Sequence, residues 1–409
     1  MKPGRAALLL VLVVVPAEFI AARSIAKPPA ATVATREQLL AAVKAAPPGA
    51  VILLRPGVYA GGLTFTGLRG TEARPIRIAA ADPTNLPVIR GGNECLHLVN
   101  PAHVHLENLV LENARFNALN IDDGGSMKAT ARGIRLTGLR IRDVQGRGNY
   151  DGIKLSGLTD FEVDDCRVQN WGDGGSAIDM VGCRRGVIRR CQFRHRGPTA
   201  TNTGIQCKGG TSDIRIERCH FVQAGRRAIN IGGSTDLEVF RPQPPPGYEA
   251  KNIAVLGNTF IGSNAPVAFV GADACRVEFN TFYRPHRWAL RILQETRAPG
   301  FVPCRNGRFV NNLIVFRSDE MRTAVNVGSG TEAGSFLFAG NWWYCQDKPA
   351  ASRPQLPAAE SKGLYGHDPG LTRIPDDRLH LAPGSSARQI GAERYARDQG
   401  GRKAPRQSP

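Results

Sequence analysis

The sequence predicts an all-β protein, a right-handed parallel β-helix solenoid with an N-terminal capping helix. Three observations predict it. Two series of short strands with alternating apolar and polar residues recur along most of the chain, and the steps between units cluster near 25 to 30 residues. Glycine and asparagine mark the corners, and no segment carries a heptad or a βαβ-length helical pattern. A unit that cannot bury its apolar face alone buries it against the next, so such a period means stacked coils. A β-propeller, the competing repeat fold, needs four strands per blade of about 40 to 50 residues. Most units here are too short for that.

The elements follow in chain order. The opening "MKPGRAALLLVLVVVPAEFIAARS" carries Lys2 and Arg5, an apolar run from Ala6 to Val15, then small residues. That is the pattern of a secretory signal peptide, assigned to 1–26, and the run is too short to span a bilayer. No later stretch is long and apolar enough to span one, so a secreted or periplasmic protein is expected, with no membrane span in the mature chain. In "ATREQLLAAVKAAPPG" Thr35 is the expected N-cap, with Gln38 at the capping-box position of an amphipathic helix. The β-helix domain is assigned to 27–391, with "RLHLAPGSSARQIGAE" as its last strand and closing turn. Residues 392–409 are expected to form a disordered basic tail.

The first strand series, from "VHLENLVL" to "FLFAGNWW", places Asn108, Leu139, Cys166, Cys191, Cys219, Asn258, Asn280, Asn312 and Asn341 at one ladder corner. Small buried thiols suit that corner, and coils ~4.8 Å apart also put a disulfide within reach, so both states stay open. The chain has nine cysteines and no C-x-x-C pair, which argues against zinc. In the second series, strict alternation turns Leu119, Ile153, Ile178, Ile205 and Ile229 inward. The outward row is then Asn120, Lys154, Asp179, Gln206, Asn230, Ala268, Arg291 and Asn326. Two residues further along the same face come Ser156, Val181 and Lys208.

This polar strip converges on Lys, Asp, Gln and Asn near the middle of the solenoid, where a long polymer can lie. Turns beside it add Tyr150, Asp151, Arg226 and Arg227, and the insertion "STDLEVFRPQPPPGYEAK" after Gly233 is expected to wall one side. Gly209, Gly210 and Gly232 are expected to leave room for a sugar ring. The formal charge of +18 favours a polyanionic partner, and outside the cytoplasm that means an acidic glycan rather than nucleic acid. A monomer is expected.

The opening "AAPPGAVILLRPGVYAGGLTF", the coils with their Asn corners, and "GIQCKGG" followed by "FVQAGRRAINIGG" resemble secreted β-helix polysaccharide lyases of the chondroitinase B and alginate lyase type. The resemblance implies β-elimination on a uronate polymer. It implies a strand lysine as Brønsted base, matched here by Lys208, an assisting arginine on the following coil, and calcium on the uronate carboxylate. The sequence departs from that pattern twice. The acidic ligands expected just before the lysine are missing, since "NTGIQ" offers only Asn202 and Gln206, so no metal or other cofactor is assigned. Asn230 stands at the arginine position, and Arg227 lies five residues before the position beside Lys208, or ~16 Å along an extended strand.

The reading from residues is therefore Lys208 as base, with Arg227, Arg291 or Lys154 neutralising the carboxylate and Tyr150 as acid. Lys154, Asp179, Gln206, Arg226, Asn230 and Arg291 are the expected substrate contacts. Hydrolysis is the enzymatic alternative, because "NYDGIKLSG" is similar to the "NTDG" strand of polygalacturonases. There Asp151 and Asp179 would act together, yet their backbones are expected ~11 Å apart. C5 epimerisation, which starts from the same proton abstraction, and a non-catalytic glycan-binding solenoid remain as further alternatives.

Overall fold

The computed structural model describes residues 30–126, 131–196 and 203–400. The expected signal peptide and residues 401–409 lie outside them, as does Asn202. Successive coils contribute strands to three parallel sheets stacked along one axis. The two strand series thus resolve into three sheets. The first series bends in its middle, so that Val104–Glu107 enters one sheet and Val110–Glu112 the next. The second series, exemplified by Ile153–Ser156, Ser176–Val181, Thr203–Lys208 and Arg227–Gly232, forms the third sheet.

The bend uses two residues, one left-handed and one buried. Asp165, Arg190, Arg218 and Asn311 hold φ between 51° and 56° immediately before the ladder residues Cys166, Cys191, Cys219 and Asn312. Asn108 has φ 56° and belongs to this left-handed position, which asparagine tolerates better than most residues. The fully buried Leu109 takes its expected place in the ladder.

All nine cysteines are free, buried thiols. From Asn258 onward the ladder becomes a hydrogen-bond chain: the Asn280 side-chain oxygen accepts from the Asn258 backbone N–H at 2.9 Å, the Asn312 side chain accepts likewise from Asn280, and Asn341 from Asn312. Four buried amides thereby satisfy one another across coils. Inside the second sheet, Phe193, Phe221, Phe260 and Phe282 stack with centroids 4.7 to 5.0 Å apart, which is the coil spacing itself. Inside the third, Leu119, Ile153, Ile178, Ile205 and Ile229 are fully buried, as the alternation requires.

The helix Arg36–Lys44 follows its N-cap, Thr35, whose side chain accepts from the Gln38 N–H. The Gln38 side chain reaches back to the N–H of Ala34 rather than Thr35. Leu39 and Val43 of this helix join the main core cluster at its first coils. At the other end Arg378–Leu381 is the last strand, as expected, but it pairs antiparallel with Leu371–Ile374 outside the three stacked sheets, and Leu371, Leu381 and Ile390 pack on the outward-facing Leu313, Val315 and Trp342. One expectation there is corrected. Residues 392–400 are not disordered: Gly391–Gly400 is helical, with Tyr395 buried against Ala254 and Leu256 and its hydroxyl donating to Glu217 at 2.7 Å.

Candidate active site

The register of the third sheet is the one that alternation predicts. Asn120, Lys154, Asp179, Gln206, Asn230, Ala268, Arg291 and Asn326 are successive partners, and Val181 pairs with Lys208. Inward isoleucines fix the phase, because a slip of one residue would turn every one of them to solvent. Asp179 therefore sits one coil from Lys154 and diagonally below Lys208. Lys154 Nζ contacts Asp179 Oδ2 and lies 3.5 Å from Asp151 Oδ2, while Lys208 Nζ lies 3.3 Å from the same Asp179 oxygen.

Burial orders these charges. The Asp151 and Asp179 side chains have no exposure, whereas Lys154 and Lys208 keep 18% and 15%. Burial, and next the neighbouring Asp179 carboxylate, push the Asp151 carboxyl up to about 7 against the pull of Lys154. Burial works against the Lys154 charge, but Asp179 and Asp151 outweigh it and its pKa is raised. Asp151 Oδ1 accepts from the Ser176 N–H at 2.6 Å, while Asp151 Oδ2 and Asp179 Oδ1 have no hydrogen-bond partner.

The insertion after Gly233 does form a wall. Ser234, Val239 and Arg241 enclose, with Asn149, Lys154 and Lys208, a cavity of about 380 Å³. The fully buried Glu249 ties this loop down, accepting from the N–H groups of Gly209 and Thr235 at 2.8 Å each and from the Thr235 hydroxyl at 2.7 Å. Arg241 binds the buried Asp123 carboxylate through both oxygens, at 2.7 and 2.5 Å. A Cβ on Gly210 would meet the Arg241 carbonyl at 2.9 Å, and one on Gly232 the Val270 carbonyl at 1.7 Å. These two glycines make room for the chain's own backbone, not for a sugar as expected.

Upstream the strip continues through His97, one coil before Asn120. His97 lies 2.6 Å from Asp122 and 3.2 Å from Glu94, and the Asp122 contact, against burial, raises its pKa. Extending the outward row back through "CLHLV" would have found it. Glu249 and the Asp123 partner of Arg241 carry no such periodic signal.

Other expected residues are placed apart from Lys208. Tyr150 packs its ring 4.9 Å from Phe116 and beside Gly146 and Gly148, and it is Asn149 that lines the cavity. Arg227 opens its strand opposite Thr203 and extends along it to Asn230 (3.0 Å) and Glu295 (2.8 Å), short of Lys208. Arg291 stands three coils beyond Gln206, ~14 Å along the axis. Burial and then Arg227 push its guanidinium down to about 10, with Arg226 and Arg287 adding to the repulsion. Of the expected contacts, Lys154, Asp179, Gln206 and Lys208 form one group, and Arg226, Arg227, Asn230 and Arg291 another.

The residues around Lys208 do not fit a calcium ion. Asp179 already pairs with both lysines, Asp151 is fully buried beside Lys154, and among the described residues no three His, Cys, Asp or Glu side chains converge as metal ligands. Nor is any helix of the described residues long and apolar enough to cross a membrane.

Residues 84–241 match the family model of a right-handed β-helix region. No curated protein matches the chain. Among solved structures, it is similar to an alginate lyase from Paenibacillus sp., with 17% identity, 75% of this chain and 99% of that chain covered, and a TM-score of 0.48. It is also similar to the Dettilon tailspike protein, with 11% identity, coverages of 80% and 64%, and a TM-score of 0.51. XylC in complex with xylose shares 10% identity over 83% of this chain and 84% of that one, with a TM-score of 0.51. At such identities the likeness is one of fold.

Proposed function

We propose that this protein, after export, cleaves an acidic, uronate-containing polysaccharide by β-elimination. One observation carries the reading: at the cavity floor two lysines face the solvent, and both carboxylates lie fully buried beneath them. An entering ligand meets positive charge, which suits a uronate carboxylate. It also leaves neither aspartate free to reach a glycosidic oxygen. The side chains of Asp151 and Asp179 do converge on Lys154 despite their separated backbones, so it is burial, not distance, that speaks against hydrolysis.

The two lysines divide the work. Lys154, paired with Asp179 and 3.5 Å from Asp151, stays an ammonium and neutralises the substrate carboxylate, stabilising the enolate-like transition state. Lys208, with its single ion pair at 3.3 Å, is the base. Acting as base, Lys208 Nζ takes the proton from C5 of the uronate, the electron pair forms the C4–C5 double bond, and the C4–O4 bond breaks. The leaving oxygen takes a proton from Lys208 or from solvent water.

The test follows absorbance of the unsaturated uronate while purified protein meets alginate, pectate, chondroitin, dermatan and heparan substrates. Elimination gives new absorbance on at least one of them, reduced at least about 100-fold in Lys208→Ala. Reducing ends without absorbance would select hydrolysis, and exchange at C5 without chain cleavage would select epimerisation. Affinity with no turnover selects a binding solenoid, and unchanged cleavage in Lys208→Ala refutes the base assignment.

A further inference from the structure

We infer that the groove over Lys208 is blind at one end, so that the enzyme acts from a chain terminus and releases short products. This rests on the elimination reading for its chemistry, but the wall itself is a feature of the third sheet. Toward the N-terminal coils the outward row is accessible at Thr64, which is exposed, and at His97 and Lys154, which keep 23% and 18% of their side-chain surface, while Asp179 lies buried under the two lysines. Immediately past Gln206 it closes. Asn230 is 3% exposed and Ala268 not at all, although both point outward.

A strap covers them. Arg227, on the strand Arg227–Gly232, reaches across the coil of Ala268 to Glu295, which follows the strand Leu290–Leu293. The small Ala268 side chain lets this ion pair pass over it. Alongside, Ala268, Val270 and Leu293 form a buried apolar cluster on the outward face, and two loops meet beyond the cavity. The Val302 N–H donates to the Gly247 carbonyl at 2.9 Å, and Phe240 packs on Phe301 at 5.4 Å. A polymer lying along the axis thus meets a wall one coil beyond Gln206, ~4.8 Å away, with room for about one sugar ring.

The experiment uses the full mature chain and whichever polyuronate it cleaves. Products from the first few per cent of reaction are sized by mass spectrometry while viscosity and unsaturated-uronate absorbance are followed together. A blind groove yields monosaccharide and disaccharide products from the outset, with viscosity lagging behind absorbance. A broad early ladder of long oligosaccharides with an immediate fall in viscosity overturns the inference and leaves elimination standing. Glu295→Ala, a surface change with folding checked by thermal melting, is expected at least to double the share of longer early products. An unchanged pattern overturns the strap as the wall. Binding to Lys208→Ala separates the inference from the chemistry: polymer fractions of different length bind equally per chain end to a blind groove, and equally per sugar residue to an open one. Binding per residue refutes the blind groove, and absence of both cleavage and binding refutes the elimination reading together with it.

Discussion

Asp151→Asn is expected to stabilise the protein at alkaline pH and to leave it little changed in acid. Burial beside Asp179 raises the folded-state pKa of Asp151 from its ordinary 3.8 to about 7. The folded state then binds this proton more tightly than the unfolded chain does. Its contribution is fully present below the unfolded value, near pH 4, and is lost as pH rises through about 7. The gap corresponds to about 4 kcal/mol across that window. Asparagine keeps the acceptor for the Ser176 N–H and mimics the neutral acid at every pH. Denaturant unfolding of both proteins from pH 4 to 9 isolates the difference, since histidines and other groups titrate alike in the two. The wild type should lose stability relative to the variant as pH rises, by several kcal/mol in total. Parallel profiles, or a variant that loses more at high pH, would refute the view that Asp151 is neutral in the folded protein at moderate pH.

Three further outcomes are expected. Asn280→Ala removes a fully buried amide whose oxygen accepts from the Asn258 backbone and side chain and whose nitrogen donates to Val255 and Glu278 carbonyls. Leaving such partners unpaired should cost about 2 to 4 kcal/mol in unfolding free energy. Glu249→Gln weakens the anchor of the cavity loop at Gly209 and Thr235, and should raise KM several-fold while changing kcat less, measured on the cleaved polyuronate. The nine thiols should ignore a thiol reagent in the native protein and all react after denaturation, since each is buried and burial pushes Cys183, for one, up to about 12.

What the sequence displays of this molecule is what repeats. Alternation in "GIKLS", "AIDMV" and "GIQCK" set the phase of the third sheet, and the pairing of Lys154, Asp179 and Gln206 follows that phase residue for residue. Phase is legible because one buried isoleucine per coil decides it. What repeats only loosely was misplaced by one residue, as with Asn108 and Leu109, because asparagine serves both the left-handed corner and the ladder in different coils. Asp151 reads locally as a turn residue, and nothing near it in sequence reveals that it will be buried beneath Lys154. The cavity wall depends on contacts such as Arg241 to Asp123, between coils far apart in the chain, and those have no periodic signature.

The net charge carries less information about the ligand than the arrangement of a few charges does. On the other sheets many arginines join one coil to the next through ion pairs, as with Arg77 to Glu107, and Arg90 and Arg142 to Glu112. Such pairs contribute little each at an exposed surface. Some present both signs to solvent, as with Arg185 and Asp160 at 57% and 52% exposure, whereas Glu112 keeps only 6% beneath Arg90 and Arg142. At Lys154 and Lys208 the acids have no exposure at all, and the bases above them line a cavity instead of an open coil. Water and ligand therefore meet only the positive half of the cluster, in a cavity where its field is less screened than on the open coils. That orientation, rather than the +18 of the whole chain, is what the proposal of an acidic sugar rests on.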